Sequence, residues 1–391
     1  MNREKTTEKK WTRPVIKLPR GVIMAICLLP AVLTALFYAL RYIPGVMGWA
    51  TIYISAPVRG FLGMVSSVYP FSMTEVLLTI GGIWIIYYIV KSIMVAAHRR
   101  GKWKILGKRL LPILVLGVYI WGLFCWLWNS GYHAPGFAVK NGFTGNTVTS
   151  ENLAAVTRMF AEKANELSLA VIRDDDGKYA EDRREMFAAS TGIYDNITSE
   201  FPGLSGKVYR PKSMMYSWLM SRTGYSGMYF ALTGEASINT NPPVVHMPAT
   251  VAHEHAHQLG VFAEDEANFV GILACVKSGE AVFEYGGYML GLSYLLNALA
   301  HENSGEWFEI MESLSDEVMR DRQENYDFWA SQRTVNTGVG VIDNVLTTVT
   351  VTVSDAVDSV YDSYLKSQSQ ELGIRSYGAC VDLLVEYFSV R

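Results

Sequence analysis

Apolar residues crowd into the first third of this chain. The run "GVIMAICLLPAVLTALFYAL" (residues 21–40) carries no charge over twenty positions, enough for a helix to cross a hydrocarbon layer about 30 Å thick. A second run, "VLLTIGGIWIIYYIVKSIMVAA" (76–97), has Lys91 close enough to its end to snorkel. A third, "LLPILVLGVYIWGLFCWLW" (110–128), closes on the aromatic residues typical of a membrane surface. The pattern predicts three transmembrane helices and a membrane anchor over residues 1–135. The first run follows a basic start, as a signal peptide would, but "LRYIPGVMG" after it offers no small-x-small cleavage site, so it reads as a retained anchor. Residues 42–74 are apolar but broken by Gly, Pro and Arg59, which predicts an interfacial or re-entrant segment.

Basic residues set the orientation. Seven precede the first run (Arg3, Lys5, Lys9, Lys10, Arg13, Lys17, Arg20) and six lie in the loop 98–109 (Arg99, Arg100, Lys102, Lys104, Lys108, Arg109), against Arg41 and Arg59 between the first two runs. The positive-inside rule makes both basic segments cytoplasmic and places residues 136–391 outside. With the basic residues committed to topology, a formal net charge of -3 points to no nucleic-acid partner. Four cysteines, two of them in membrane runs, make no disulfide framework; Cys275 and Cys380 read as free buried thiols.

Beyond residue 136 the pattern turns to helical periodicity. "SENLAAVTRMFAEKANELSLAVI" opens with a Ser cap and stays periodic to Ile172. Short β-type runs at 228–232 and 236–239 form a small hairpin, and helices follow over 253–259, 264–279 and 284–303. "TTVTVTV" (347–353) alternates like a strand between helical flanks and is left open. The fold class is mainly α (α+β), with a small β-edge.

The densest chemistry lies in "VAHEHAHQLGVFAEDEANF" (251–269). His253, Glu254 and His257 spell His-Glu-x-x-His. Residues four apart share a helical face, so both imidazoles reach one ion, and Glu254 can act on a water at its open position. A catalytic zinc takes a third protein ligand. The metzincin position for a third His is Ala263, so that pattern fails. The following "EDEAN" offers Glu264, on one face with Asn268, and Glu266 as the alternative. His255 faces elsewhere and reads as structural. His246, in a Pro-rich loop, reads as a surface residue. Residues 227–239, upstream of the metal helix, are a candidate edge for an extended substrate. Tyr285, Tyr364, Arg375 and Tyr377 are candidates to stabilise an oxyanion.

Glu-x-x-Ala-Asn after His-Glu-x-x-His resembles the third-ligand helix of gluzincin peptidases. The resemblance implies Glu264 as third ligand and Asn268 as a residue supporting it, although only six residues separate His257 from Glu264, far fewer than in those families. From "GYSGMYFALTGEASIN" through "HEHAHQLGVFAEDEANF" to "YLK" and "SYG", the chain also resembles an uncharacterised family of bacterial membrane proteins placed among zincin-like peptidases. Together these imply a zinc-dependent metalloendopeptidase of the bacterial plasma membrane. It would bind one Zn²⁺ per chain, be embedded in the lipid bilayer, and act on peptide or protein substrates at the cell surface with Glu254 as general base. The alternative is a catalytically silent, zinc-stabilised sensor or scaffold. Oligomeric state is left open.

Overall fold

The structure is a computed structural model; it describes residues 19–144, 148–334, 340–368 and 377–390. Helix α1 (Arg20–Leu40) forms where the first apolar run predicts it, with Met24–Leu40 a shorter apolar stretch among its described residues. Among the described residues two helices, not the expected three, are long and apolar enough to cross a membrane: α4 (Met73–Ala97) and the 31-residue helix Lys102–Tyr132. Only 6% and 17% of their apolar windows are buried, so neither is the core helix of a soluble domain.

Between α1 and α4, α2 (Pro44–Ala50) runs through a wider turn (Thr51–Ser55) into α3 (Ala56–Ser66) without a break. The third run also extends past its expected end. α5 (Lys102–Phe124) passes through a second wide turn (Cys125–Asn129) into α6 (Ser130–Tyr132). α5 lies parallel to α1: Tyr119 Oη donates to the carbonyl of Ile26 (2.6 Å) and, seven residues on in each helix, Trp126 Nε1 donates to that of Leu33 (3.0 Å).

Two carboxylates bolt the start of α4 to the rest of the molecule. Glu235 accepts from the backbone N–H groups of Met73 (3.0 Å) and Thr74 (2.8 Å), a carboxylate at a helix N-terminus, and pairs with buried Lys212. Glu75 accepts from the backbone of Met215 (2.7 Å) and Tyr216 (2.9 Å).

After α7 (Phe137–Lys140), α8 (Ser150–Leu167) is capped by Thr149, not by the expected Ser, and stops five residues before Ile172. α9 (Arg183–Ala189) leads to a sheet of three short strands: β1 (Lys212–Ser213), then, beyond α10 (Ser217–Arg222), β2 (Gly227–Phe230) and β3 (Glu235–Ile238). β3 is central, parallel to β1 and antiparallel to β2, so the expected hairpin exists and leaves β2 at an edge.

Helices α11 (Met247–Leu259), α12 (Glu264–Val276) and α13 (Ala281–Glu302) build the core with α8. α12 is apolar on nearly every side, as a helix enclosed by others must be. α14 (Ser304–Glu312), α15 (Asp316–Gln332), α16 (Gly340–Ser367) and α17 (Tyr377–Val390) complete the chain. The "TTVTVTV" run lies inside α16. Cys275 and Cys380 are buried and free, as expected.

Candidate metal centre

The chain bends back between two helices to make this site. Gly260 follows α11 with φ +92°, the left-handed conformation only glycine adopts freely. The N–H of Val261 reaches the carbonyl of Ala256 (3.0 Å), a Schellman-type stop. α12 then packs back on α11 at very close range: a Cβ on Gly271 would stand 2.8 Å from the backbone nitrogen of His253. This turn and contact explain how only six intervening residues bring Glu264 back beside both histidines.

His253, His257 and Glu264 offer three ligand atoms within 4.8 Å of one another. Glu264 Oε2 lies 3.2 Å from His253 Nε2 and 3.6 Å from His257 Nε2. Ligands about 2.0–2.1 Å from a tetrahedral zinc stand about 3.4 Å apart, so these separations fit such an ion. His257 Nδ1 donates to the carbonyl of Val261 (2.7 Å), which leaves the lone pair on Nε2 to face the ion. His253 Nδ1 is buried without a hydrogen-bond partner among the described residues.

Burial opposes the charged form of Glu264, but the imidazoles of His257 and His253 outweigh it and hold its carboxyl well below the usual range. Its second oxygen, Oε1, accepts a 2.7 Å hydrogen bond from Tyr361 Oη on α16. Burial pushes the Tyr361 phenol well up, with Glu264 adding to the shift, so it remains a donor.

Glu254 is 4% exposed, and its Oε2 has no hydrogen-bond partner among the described residues. Burial pushes its carboxyl up to about 8; His253 opposes the shift and Glu264 adds to it. It lies against the start of β2, where a Cβ on Gly227 would stand 2.5 Å from its Oε1.

The centre is also held from the apolar end of the molecule. Trp128 packs its ring edge-on to that of His257, with centroids 5.2 Å apart. Arg59, 2% exposed, donates from Nη1 to the carbonyl of His257 (2.8 Å) and from Nε to Ser55 (3.1 Å), so a guanidinium neutralises the C-terminal end of α11.

The other expected residues fall elsewhere. Glu266 turns away, its carboxylate accepting from the N–H groups of Phe137 (2.8 Å) and Ala138 (2.9 Å) at the start of α7. Asn268 stands a turn beyond Glu264, half-buried, with no hydrogen bond among the described residues. Tyr285 donates to Asp321 (2.6 Å), which Arg173 also holds (2.9 Å), in a buried network of its own. Tyr364 donates to Asn129 Oδ1 (2.5 Å), one turn from Tyr361. Arg375 and the side chain of Tyr377 lie outside the described residues. His255 is fully buried, and His246, expected at the surface, is half-buried with its Nε2 enclosed and its Nδ1 beside Asn325 (3.4 Å). Burial pushes both imidazoliums down to about 4.

Tyr361, Arg59, Trp128 and Gly271 were not singled out for the site in the sequence, and Gly227 only as the start of the candidate substrate edge. Only Arg59, a lone charge in an apolar segment, carried a signal for such a role.

Fold and site together define a mainly helical protein with two helices of membrane-spanning length, one of which ends against a His₂–Glu group able to hold a metal ion. The chain belongs to the DUF3810 family, described as a protein of unknown function, whose model matches residues 52–385. No curated protein and no solved structure matches it.

Proposed function

We propose that this protein is a membrane-anchored zinc metallopeptidase of the gluzincin type, with its catalytic domain on the extracytoplasmic side. The observation that carries the reading is a tetrahedral-sized gap between His253, His257 and Glu264 with a buried carboxylate, Glu254, beside it. Two imidazoles and one carboxylate suit zinc better than magnesium or calcium. A zinc ion held there would acidify a water ligand and polarise a substrate carbonyl.

The remaining steps belong to the chain's own groups. Glu254, buried beside the ligands, accepts a proton from the attacking water and passes it to the leaving amine nitrogen. One C–N bond breaks, and the products are a carboxylic acid and an amine. Tyr361 fixes Oε1 of Glu264, so the carboxylate presents Oε2 to the ion.

Topology follows from charge. The basic loop 98–109 lies at the far ends of α4 and α5 from the metal centre, and the positive-inside rule makes that end cytoplasmic. α1 runs beside α5 as a shorter apolar companion.

Glu254→Gln tests the reading. The full-length variant should keep its zinc and lose hydrolysis of a peptide library. Wild type that binds zinc and cleaves nothing, like the variant, would instead indicate a silent zinc-stabilised sensor or scaffold.

A further inference from the structure

The continuous helix over residues 44–66 has inverted polarity. Its buried side carries Thr51, Ser55, Arg59, Gly63 and Ser66, spaced three or four apart and turned onto the domain. Its outward side carries large apolar groups: Trp49 is 56% exposed, Ile52 57%, Tyr53 65% and Phe61 59%. Polar and small residues inward with large apolar residues outward is the arrangement of a helix solvated by lipid. Trp218 and Met215 extend the apolar surface beside the start of α4, where Tyr216 meets Thr79 (3.0 Å). Both long apolar helices are likewise mostly exposed along their apolar windows.

The inner side of the same helix touches the metal centre. Arg59 holds the His257 carbonyl, and Trp128, near the end of the second long helix, packs on the His257 ring. One helix diameter, about 10–12 Å, therefore separates the outward face of α3 from a metal ligand. No stalk intervenes, because four residues separate Tyr132 from Phe137.

We propose that the outward face of residues 44–66 is seated in the outer leaflet of the bilayer, so that the metal centre opens at the membrane surface. Its substrates are then polypeptides with a lipid-embedded anchor, cleaved beside that anchor. The substrate class rests on the peptidase reading; the seat in the leaflet does not. A tethered chain meets the site at an effective concentration of order millimolar, whereas a free peptide has to diffuse to it.

Two measurements on the full-length protein in phosphatidylcholine vesicles test this. Spin labels at Tyr53→Cys and Phe61→Cys, in a Cys27→Ser background, should collide with oxygen and be shielded from an aqueous nickel chelate. A label at Leu169→Cys, an exposed position on the domain, should show the reverse order. Nickel collisions at 53 and 61 equal to those at 169 would overturn the seat. A quenched fluorescent peptide library, with and without a palmitoyl anchor, reads the substrate class. Anchored peptides should be cleaved with kcat/KM at least about tenfold higher. Equal rates would overturn the substrate class and leave the peptidase reading standing. No cleavage of either form by zinc-loaded protein would overturn both, while the labels would still report on the seat.

Discussion

Tyr361 Oη donates to one oxygen of Glu264 while the other oxygen faces the Nε2 atoms of His253 and His257. A carboxylate held in this way cannot rotate freely to an orientation that misses the ion. Tyr361→Phe should therefore lower zinc affinity by about 10- to 100-fold, the usual cost of losing an outer hydrogen bond to a metal ligand. Competition against a chromogenic chelator reads this directly. Unchanged affinity in a folded variant would show that packing alone orients Glu264.

Gly227 leaves room for Glu254, and a side chain there meets the carboxylate before it meets any metal ligand. Gly227→Val should keep zinc and lose peptide hydrolysis by roughly the 10²–10⁴-fold expected for displacing a general base. Hydrolysis at the wild-type rate would separate Glu254 from the chemistry.

Glu254 also links stability to pH in the metal-free protein. Its folded carboxyl titrates at about 8, above its ordinary value of 4.5, so between those values the folded state holds a proton that the unfolded state releases. Stability from this group is full below about 4.5 and is lost as pH rises through about 8. His246 and His255 act oppositely: their pKa values fall to about 4, and their effect is complete once pH exceeds their ordinary 6.5. Between pH 7 and 8, metal-free wild type should therefore lose about 1 kcal/mol relative to Glu254→Gln. Thermal melts of both chelated proteins across that interval check the sign. Parallel melts would mean that Glu254 is not a buried acid.

Arg59 is buried against a backbone carbonyl of the metal helix. Arg59→Met removes a charge-assisted bond and leaves the His257 carbonyl unpaired, at a cost of about 1.5–3 kcal/mol. Melting should fall by several degrees, with zinc affinity falling alongside. A variant that melts like wild type would mean that α3 merely lies beside the centre.

What the sequence revealed depended on how far apart the interacting residues lie. His253 and His257 are one helical turn apart, so their shared face was legible, as was the stop at Gly260. The choice between Glu264 and Glu266 was less so, because it depends on the backbone contact at Gly271 and on the demand of Phe137 and Ala138 for a cap. Arg59 could not be assigned a partner, since its acceptor is 198 residues away. The β-branched alternation of 347–353 resembles a strand, yet its helical flanks carry it into α16.

Metal content of the purified full-length protein, by mass spectrometry, tests the metal centre most directly, with wild type beside His253→Ala and Glu264→Ala. We expect about one zinc per wild-type chain and its loss in both variants. Wild type that takes up no zinc when it is offered, while remaining folded, would contradict the metal centre and the function built on it.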